Sequence, residues 1–96
     1  DKILKSKRSK MPEVSRFLGI IISFYYDEHN PPHFHVKYNE YRATFLINEL
    51  KIQDGFLPKK VIALVLEWAY EHREELITDW ELAQNGQVPN KIEPLV

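Results

Sequence analysis

Residues His33 to Tyr38 and Tyr41 to Ile47 alternate apolar and polar side chains on either side of Asn39-Glu40. Side chains two apart on a strand share a face, so this alternation predicts two strands, each with one buried side. The short connection, with an Asn that tolerates positive φ, predicts a tight hairpin. A two-residue loop sets Tyr38 opposite Tyr41, Lys37 opposite Arg42, Val36 opposite Ala43, His35 opposite Thr44 and Phe34 opposite Phe45. One side of the ribbon is then Phe34, Val36, Tyr38, Tyr41, Ala43 and Phe45, a core face. The other carries His33, His35, Lys37, Arg42 and Thr44 toward solvent. A slip of one residue would expose the aromatic set, so the pattern fixes the register.

The flanking segments fill in the architecture. Phe17 to Tyr26 (FLGIIISFYY) is apolar at both parities, which predicts a strand buried on both faces and central in its sheet. It ends in the polar stretch Asp27 to Pro32, a connecting loop. Leu50 to Gln53 fits a short fourth strand closed by Asp54-Gly55. From Pro58, which suits a first helical turn, the period changes. Val61, Val65, Trp68, His72 and Leu76 recur at spacings of three and four, with Ile62, Leu66 and Ala69 beside them. The pattern runs to Gly86, a helix-stop residue. Thr78-Asp-Trp-Glu81 has the form of a capping box, so the stretch reads either as one long helix or as two bent near residues 73–78. Residues 87–96, with Pro89 and Pro94, are expected as an extended tail. The class is α+β, a small antiparallel meander of three to four strands followed by one long or two short C-terminal helices packed on one face. Helices on one face leave the doubly apolar strand asking for cover on the other, from the terminal segments or from another chain. A protein partner is the favoured source of that cover.

Ninety-six residues suffice for one core and not for two. The chain contains no cysteine, which excludes a disulfide framework, thiol catalysis and cysteine-ligated zinc and suits a reducing compartment. No apolar run approaches the roughly 18 residues needed to span a bilayer, and no signal peptide is visible. The net charge of −1 is split, with residues 1–10 at +4 and the remainder at −5. Residues 1–10 therefore read as a basic flexible arm ahead of a single domain over 11–96. Such an arm can touch nucleic acid phosphates, although a solvated tail with no specific role is the favoured reading. The chain has no glycine-rich phosphate loop, nucleophile elbow or helix-turn-helix pattern, and three glycines are too few for a backbone phosphate cradle.

The chemistry concentrates in His29-Asn-Pro-Pro-His-Phe-His35. Imidazole titrates nearest neutrality of all side chains, so His33 and His35 on one strand face are candidates for proton transfer, phosphate binding or metal binding. Lys37 beside Arg42 sets like charges together, an arrangement that an anion relieves. With Tyr25 or Tyr26 from the neighbouring strand, the face has the groups to hold an RNA backbone and stack a base. It also has the groups a metal-independent ribonuclease needs, an imidazole to take the 2′-hydroxyl proton, another to protonate the leaving oxygen, and a cation for the phosphorane. The plain structural alternative makes these the outer residues of a two-layer sheet, with the histidines bonded to loop carbonyls. A metal reading would use His29, His33 and His35, or a carboxylate such as Asp27 or Glu28 as the third ligand. His72 reads as a helix-face histidine at the core edge, Glu71, Glu74 and Glu75 as a solvated face, and Trp68 and Trp80 as core.

Met11-Pro-Glu-Val-Ser-Arg-Phe-Leu-Gly-Ile20, Asn30-Pro-Pro-His-Phe-His-Val-Lys-Tyr38, Leu57-Pro-Lys-Lys60, Trp80-Glu-Leu-Ala-Gln-Asn-Gly86, Pro89 and Ile92-Glu-Pro94 together resemble the family catalogued as domain of unknown function 4160. The resemblance covers residues 11–96. Members of that family are similar to the toxin half of a type II toxin–antitoxin pair (the DhiT class). The resemblance therefore implies a bacterial, cytoplasmic, growth-inhibiting protein with a cognate antitoxin as partner, in keeping with the apolar surplus. It carries no established catalytic residues, but Arg16, His33, His35 and Lys37 fall inside its motifs. The expectation is a toxin acting on RNA or translation, with His33, His35 and Arg16 catalytic, Lys37, Arg42 and Tyr26 binding RNA or another anion, and no cofactor. The alternatives are a non-enzymatic protein-binding module and a histidine-cluster metal domain.

Overall fold

The computed structural model describes residues 11–96, so the basic arm expected over 1–10 lies outside the described residues. The hairpin forms in the expected register. Strand β3 (His33–Tyr38) pairs antiparallel with β4 (Tyr41–Leu46), with Tyr38 opposite Tyr41, Lys37 opposite Arg42 and His35 opposite Thr44. Asn39 takes a φ of 54°, the left-handed conformation that Asn accepts more readily than most residues. Phe34, Val36, Ala43 and Phe45 are all buried, as the alternation requires.

The apolar run Phe17 to Tyr26 is not one strand. Leu18 and Gly19 adopt φ of 53° and 80°, which turns the chain between β1 (Glu13–Phe17) and β2 (Ile20–Ser23). The run holds only the last residue of β1, then the turn and β2, and Ile21 lies half-buried on the face opposite Ile20 and Ile22. Phe17 and Ile20 face each other across the turn and point into the same core. Of the large apolar side chains in that run only Leu18 and Tyr25 are exposed, so the surplus that asked for a second covering layer is largely absorbed by the turn. A fifth strand, β5 (Lys51–Gly55), completes a sheet of order β1-β2-β3-β4-β5, every neighbouring pair antiparallel. The central strand is β3, the one that carries the histidines, and not the apolar run.

Gly55 closes β5 beside a register shift between Thr44 and Phe45. Its φ is 88°, and a Cβ there would stand 2.2 Å from the Arg42 carbonyl oxygen, so only glycine fits this backbone approach.

Two helices follow, α1 (Lys59–Glu71) and α2 (Arg73–Gln84). The break falls at His72, whose φ of −119° leaves the helical region. Thr78 therefore lies inside α2, and the expected capping box is not used. Val61, Val65, Trp68, Ala69, Leu76, Trp80 and Ala83 turn toward the sheet and join its core cluster. Trp68 is fully buried, its ring centroid 5.5 Å from Phe17 and 6.1 Å from Phe34. The C-terminal segment is extended, as expected, and is strapped down. Ile92 N–H donates to the Val14 carbonyl (2.8 Å) on edge strand β1, and Trp68 Nε1–H donates to the Glu93 carbonyl (2.7 Å). The opposite edge, β5, is mostly exposed and carries Lys51 and Asp54, charges that discourage further pairing.

Candidate functional site

Helices on the apolar face leave the other sheet face free, and strand pairing orders its side chains in rows. One row runs Ser23, His35, Thr44, Asp54, and the next Arg16, Ile21, Lys37, Arg42. Between them lies an open pocket of about 100 Å³ lined by Ser23, Tyr25, His35, Lys37, Arg42, Thr44 and Asp54, with Met11 at its rim. Tyr25 stacks on His35, ring centroids 4.2 Å apart and planes 29° from parallel. Two cations against one carboxylate leave the lining with a single excess positive charge. That is enough to favour an anion, and weaker than Lys37 and Arg42 alone suggest.

At the end of this face nearest α2 three groups converge. His33 and His35, two apart on β3, point the same way, and Glu28 reaches them from the loop after β2. Glu28 Oε1 lies 2.8 Å from His33 Nε2 and 2.7 Å from His35 Nε2. His33 Nδ1–H donates to the Pro31 carbonyl (2.7 Å). The two prolines before β3 stiffen the backbone that presents this carbonyl. Among the described residues no partner meets Nδ1 of His35, and His35 is the imidazole that lines the pocket.

His33 departs from expectation in one respect. It shares the face with His35 but does not stand in solvent. It is only 8% exposed, because α2 crosses the start of β3 and sets Trp80 over the imidazole, ring centroids 4.9 Å apart. The structural alternative of a histidine bonded to a loop carbonyl therefore describes His33, while His35 retains access to the pocket.

The other candidates are distributed as follows. His29 is exposed, and Glu28, its neighbour, takes the third place in the cluster. Arg16 lies on the same face but two strands from Lys37, outside the pocket lining, and is held by Glu13 in a two-pronged contact of 2.8 and 2.9 Å. That hydrogen bond holds the Glu13 carboxyl below its ordinary value and raises Arg16. Tyr26 packs against the core, and the tyrosine beside the histidines is Tyr25. Strand parity gave no choice between the two tyrosines, since β2 ends at Ser23 and both follow it. Asp54 and Trp80 were not among the site candidates. Asp54 was legible once β5 was placed beside Thr44, whereas Trp80 over His33 depends on the crossing of α2, which no local pattern encodes. His72 sits half-buried at the core edge against Trp68, bonded to Glu75. Glu71, Glu74 and Glu75 line the solvated face.

A five-stranded antiparallel meander backed by two helices, with His33 and His35 on its central strand, defines an α+β domain whose polar sheet face gathers the candidate residues. The chain belongs to the family described as Domain of unknown function (DUF4160), which matches residues 19–81, from the β1–β2 turn to the last turn of α2. No curated protein and no solved structure matches it. Among the described residues no helix is long and apolar enough to cross a membrane.

Proposed function

We propose that this chain is the growth-inhibiting toxin of a toxin–antitoxin pair and that it acts on RNA through the polar face of its sheet. The supporting observation is the convergence of Glu28, His33 and His35 at hydrogen-bond distance beside a pocket lined by Lys37 and Arg42. Lys37 and Arg42 hold phosphate oxygens, and the exposed Tyr25 ring offers a surface for a base. His35 exchanges a proton with the RNA at its pocket-facing edge, its ring oriented by Glu28 and by the stack on Tyr25. His33, bonded at both ring nitrogens, is a positioning residue that holds Glu28 in place. The toxin assignment and the cognate antitoxin partner come from the family resemblance, and the RNA target from the cationic, aromatic lining.

Induced expression of the chain alone, beside His35→Ala and Glu28→Gln, tests this. Growth arrest and loss of intact cellular RNA are expected for the parent chain and not for either variant. Undiminished arrest by both variants at equal protein level removes the cluster from the activity, and arrest with RNA left intact removes the substrate.

A further inference from the structure

We infer that Glu28, His33 and His35 form a site for one first-row divalent transition-metal ion, of which Zn²⁺ is the type. Their three ligand atoms lie within 4.8 Å of one another. The hydrogen bonding says more than this proximity. The Pro31 carbonyl can only accept, so the proton of a neutral His33 stays on Nδ1, leaving a lone pair on Nε2. That lone pair faces Glu28 Oε1 at 2.8 Å, and His35 Nε2 turns toward the same oxygen at 2.7 Å. Two electron-rich atoms at this distance, half-sheltered from water, require a positive centre between them. Protons bridge these contacts only in pairs, from an imidazole or from the Glu28 carboxyl, whereas a metal ion is held by all three atoms together.

The surroundings are those of a held ligand set. The carbonyl behind Nδ1 fixes the tautomer and ring orientation, the usual outer contact of a metal-bound histidine. Trp80 packs on His33 and Tyr25 on His35, so both rings are restrained. Both histidines stand on the central strand, the most constrained frame in the sheet. Two imidazoles and a carboxylate suit Zn²⁺, Fe²⁺, Co²⁺ or Ni²⁺, while the absence of thiolates and of an oxygen cage disfavours Cu⁺ and Ca²⁺. Metal–ligand bonds of about 2.0–2.1 Å in tetrahedral geometry place ligand atoms about 3.3 Å apart. Binding therefore opens the present contacts by about half an ångström, which Glu28 can supply from its loop. Three protein ligands leave a position free, and the side chains of His35 and Glu28 remain 17% and 22% exposed, so water can reach it. The inference rests on the preceding reading for the use of the site and not for metal binding itself. Metal-bound water would take over the proton transfer given there to His35.

The test uses the untagged 96-residue chain, stripped with a chelator and titrated with Zn²⁺ against a chromophoric competitor, and with Co²⁺ followed by visible absorption. One equivalent is expected, with micromolar or tighter affinity and a d–d absorption shared by nitrogen and oxygen ligands. Glu28→Gln, which removes a loop carboxylate outside the hydrophobic core, is expected to weaken Zn²⁺ binding at least tenfold, and His35→Ala by more. His29→Ala is expected to change nothing. Less than a tenth of an equivalent bound to folded protein overturns the inference, and so does binding indifferent to Glu28→Gln and His35→Ala. Zn²⁺ bound without RNA loss overturns the function proposed above and leaves the metal site standing. RNA loss that persists in metal-free protein leaves the proposed function standing and overturns the part given to metal-bound water in it.

Discussion

Asp79 offers a test of the packing that is independent of function. It lies on α2, 1% exposed, and accepts the Asn90 N–H at Oδ1 (2.8 Å). Its other oxygen, Oδ2, has no partner among the described residues. The nearby Lys91 gives its ammonium to the Glu13 carbonyl instead (2.8 Å). Burial therefore pushes the carboxyl from 3.8 up to about 6, with the Glu75 charge adding to the rise and the Asn90 hydrogen bond opposing it. The folded state thus holds the proton more tightly than the unfolded chain does. Between pH 3.8 and about 6 it binds more protons, so stability falls as pH rises through that window. At about 1.36 kcal/mol per pH unit, the ionised carboxylate costs about 3 kcal/mol above the window. Asp79→Asn keeps an acceptor for Asn90 and removes the titration. The buried amide N–H₂ sits where Oδ2 already lacked a partner, which offsets part of the gain. The diagnostic quantity is therefore the pH dependence. Relative to the parent, Asp79→Asn is expected to be stabilised by about 2 kcal/mol more at pH 7.5 than at pH 4.5. In a domain of this size that separates the two Tm differences by about 8–16 °C. Urea denaturation of both proteins at the two pH values measures it. A stability difference that does not change with pH refutes the buried, ionised Asp79.

Other outcomes follow from particular contacts. Gly55→Ala drives a Cβ into the Arg42 carbonyl at a φ of 88° and is expected to cost about 2–4 kcal/mol by urea denaturation. Ile92→Ala removes the buried anchor of the C-terminal strap and is expected to cost about 2–4 kcal/mol, with Trp68 fluorescence shifting as its cover loosens. Lys37→Ala and Arg42→Ala are each expected to weaken binding to single-stranded RNA and to lower the slope of log affinity against log salt by about 0.7. Arg16→Ala, already engaged by Glu13 and outside the pocket, is expected to leave that slope unchanged in the same titration.

Much of the fold was legible because side-chain alternation is local. The β3–β4 register followed from the alternation and the two-residue loop together, since a slip of one residue would turn the aromatic set out of the core. The run Phe17 to Tyr26 misled for a related reason. An apolar stretch at both parities describes a doubly buried strand and also the end of one strand, a turn and the start of the next. Only Gly19, one glycine in ten residues, marked the difference. The helix break was equally weak in sequence. Val65, Trp68, His72 and Leu76 keep helical spacing straight through His72, so periodicity continues where the backbone does not. Thr78 offered a capping pattern that the packing of Leu76 and Trp80 left inside a helix.

The site divides in the same way, and the division bears on its chemistry. Strand parity sets His33 and His35 on one face, and the expectation of two equivalent imidazoles followed from that alone. What makes them unequal is long-range. The crossing of α2 seals one ring under Trp80, and a loop returns Glu28 to both. A pair of imidazoles free to act as base and acid requires each to reach the substrate. Here one is bonded at both nitrogens and buried, so a symmetrical two-histidine mechanism has no geometric support. The same asymmetry suits a ligand set, in which rings are wanted fixed and their nitrogens convergent. His29, the third imidazole in the segment, is spent on neither task, because its loop position points it to solvent while its neighbour's longer carboxylate reaches the strand. Sequence offered Asp27 and Glu28 equally as a third ligand beside the histidines, and it is the fold of the loop that brings Glu28 to both rings.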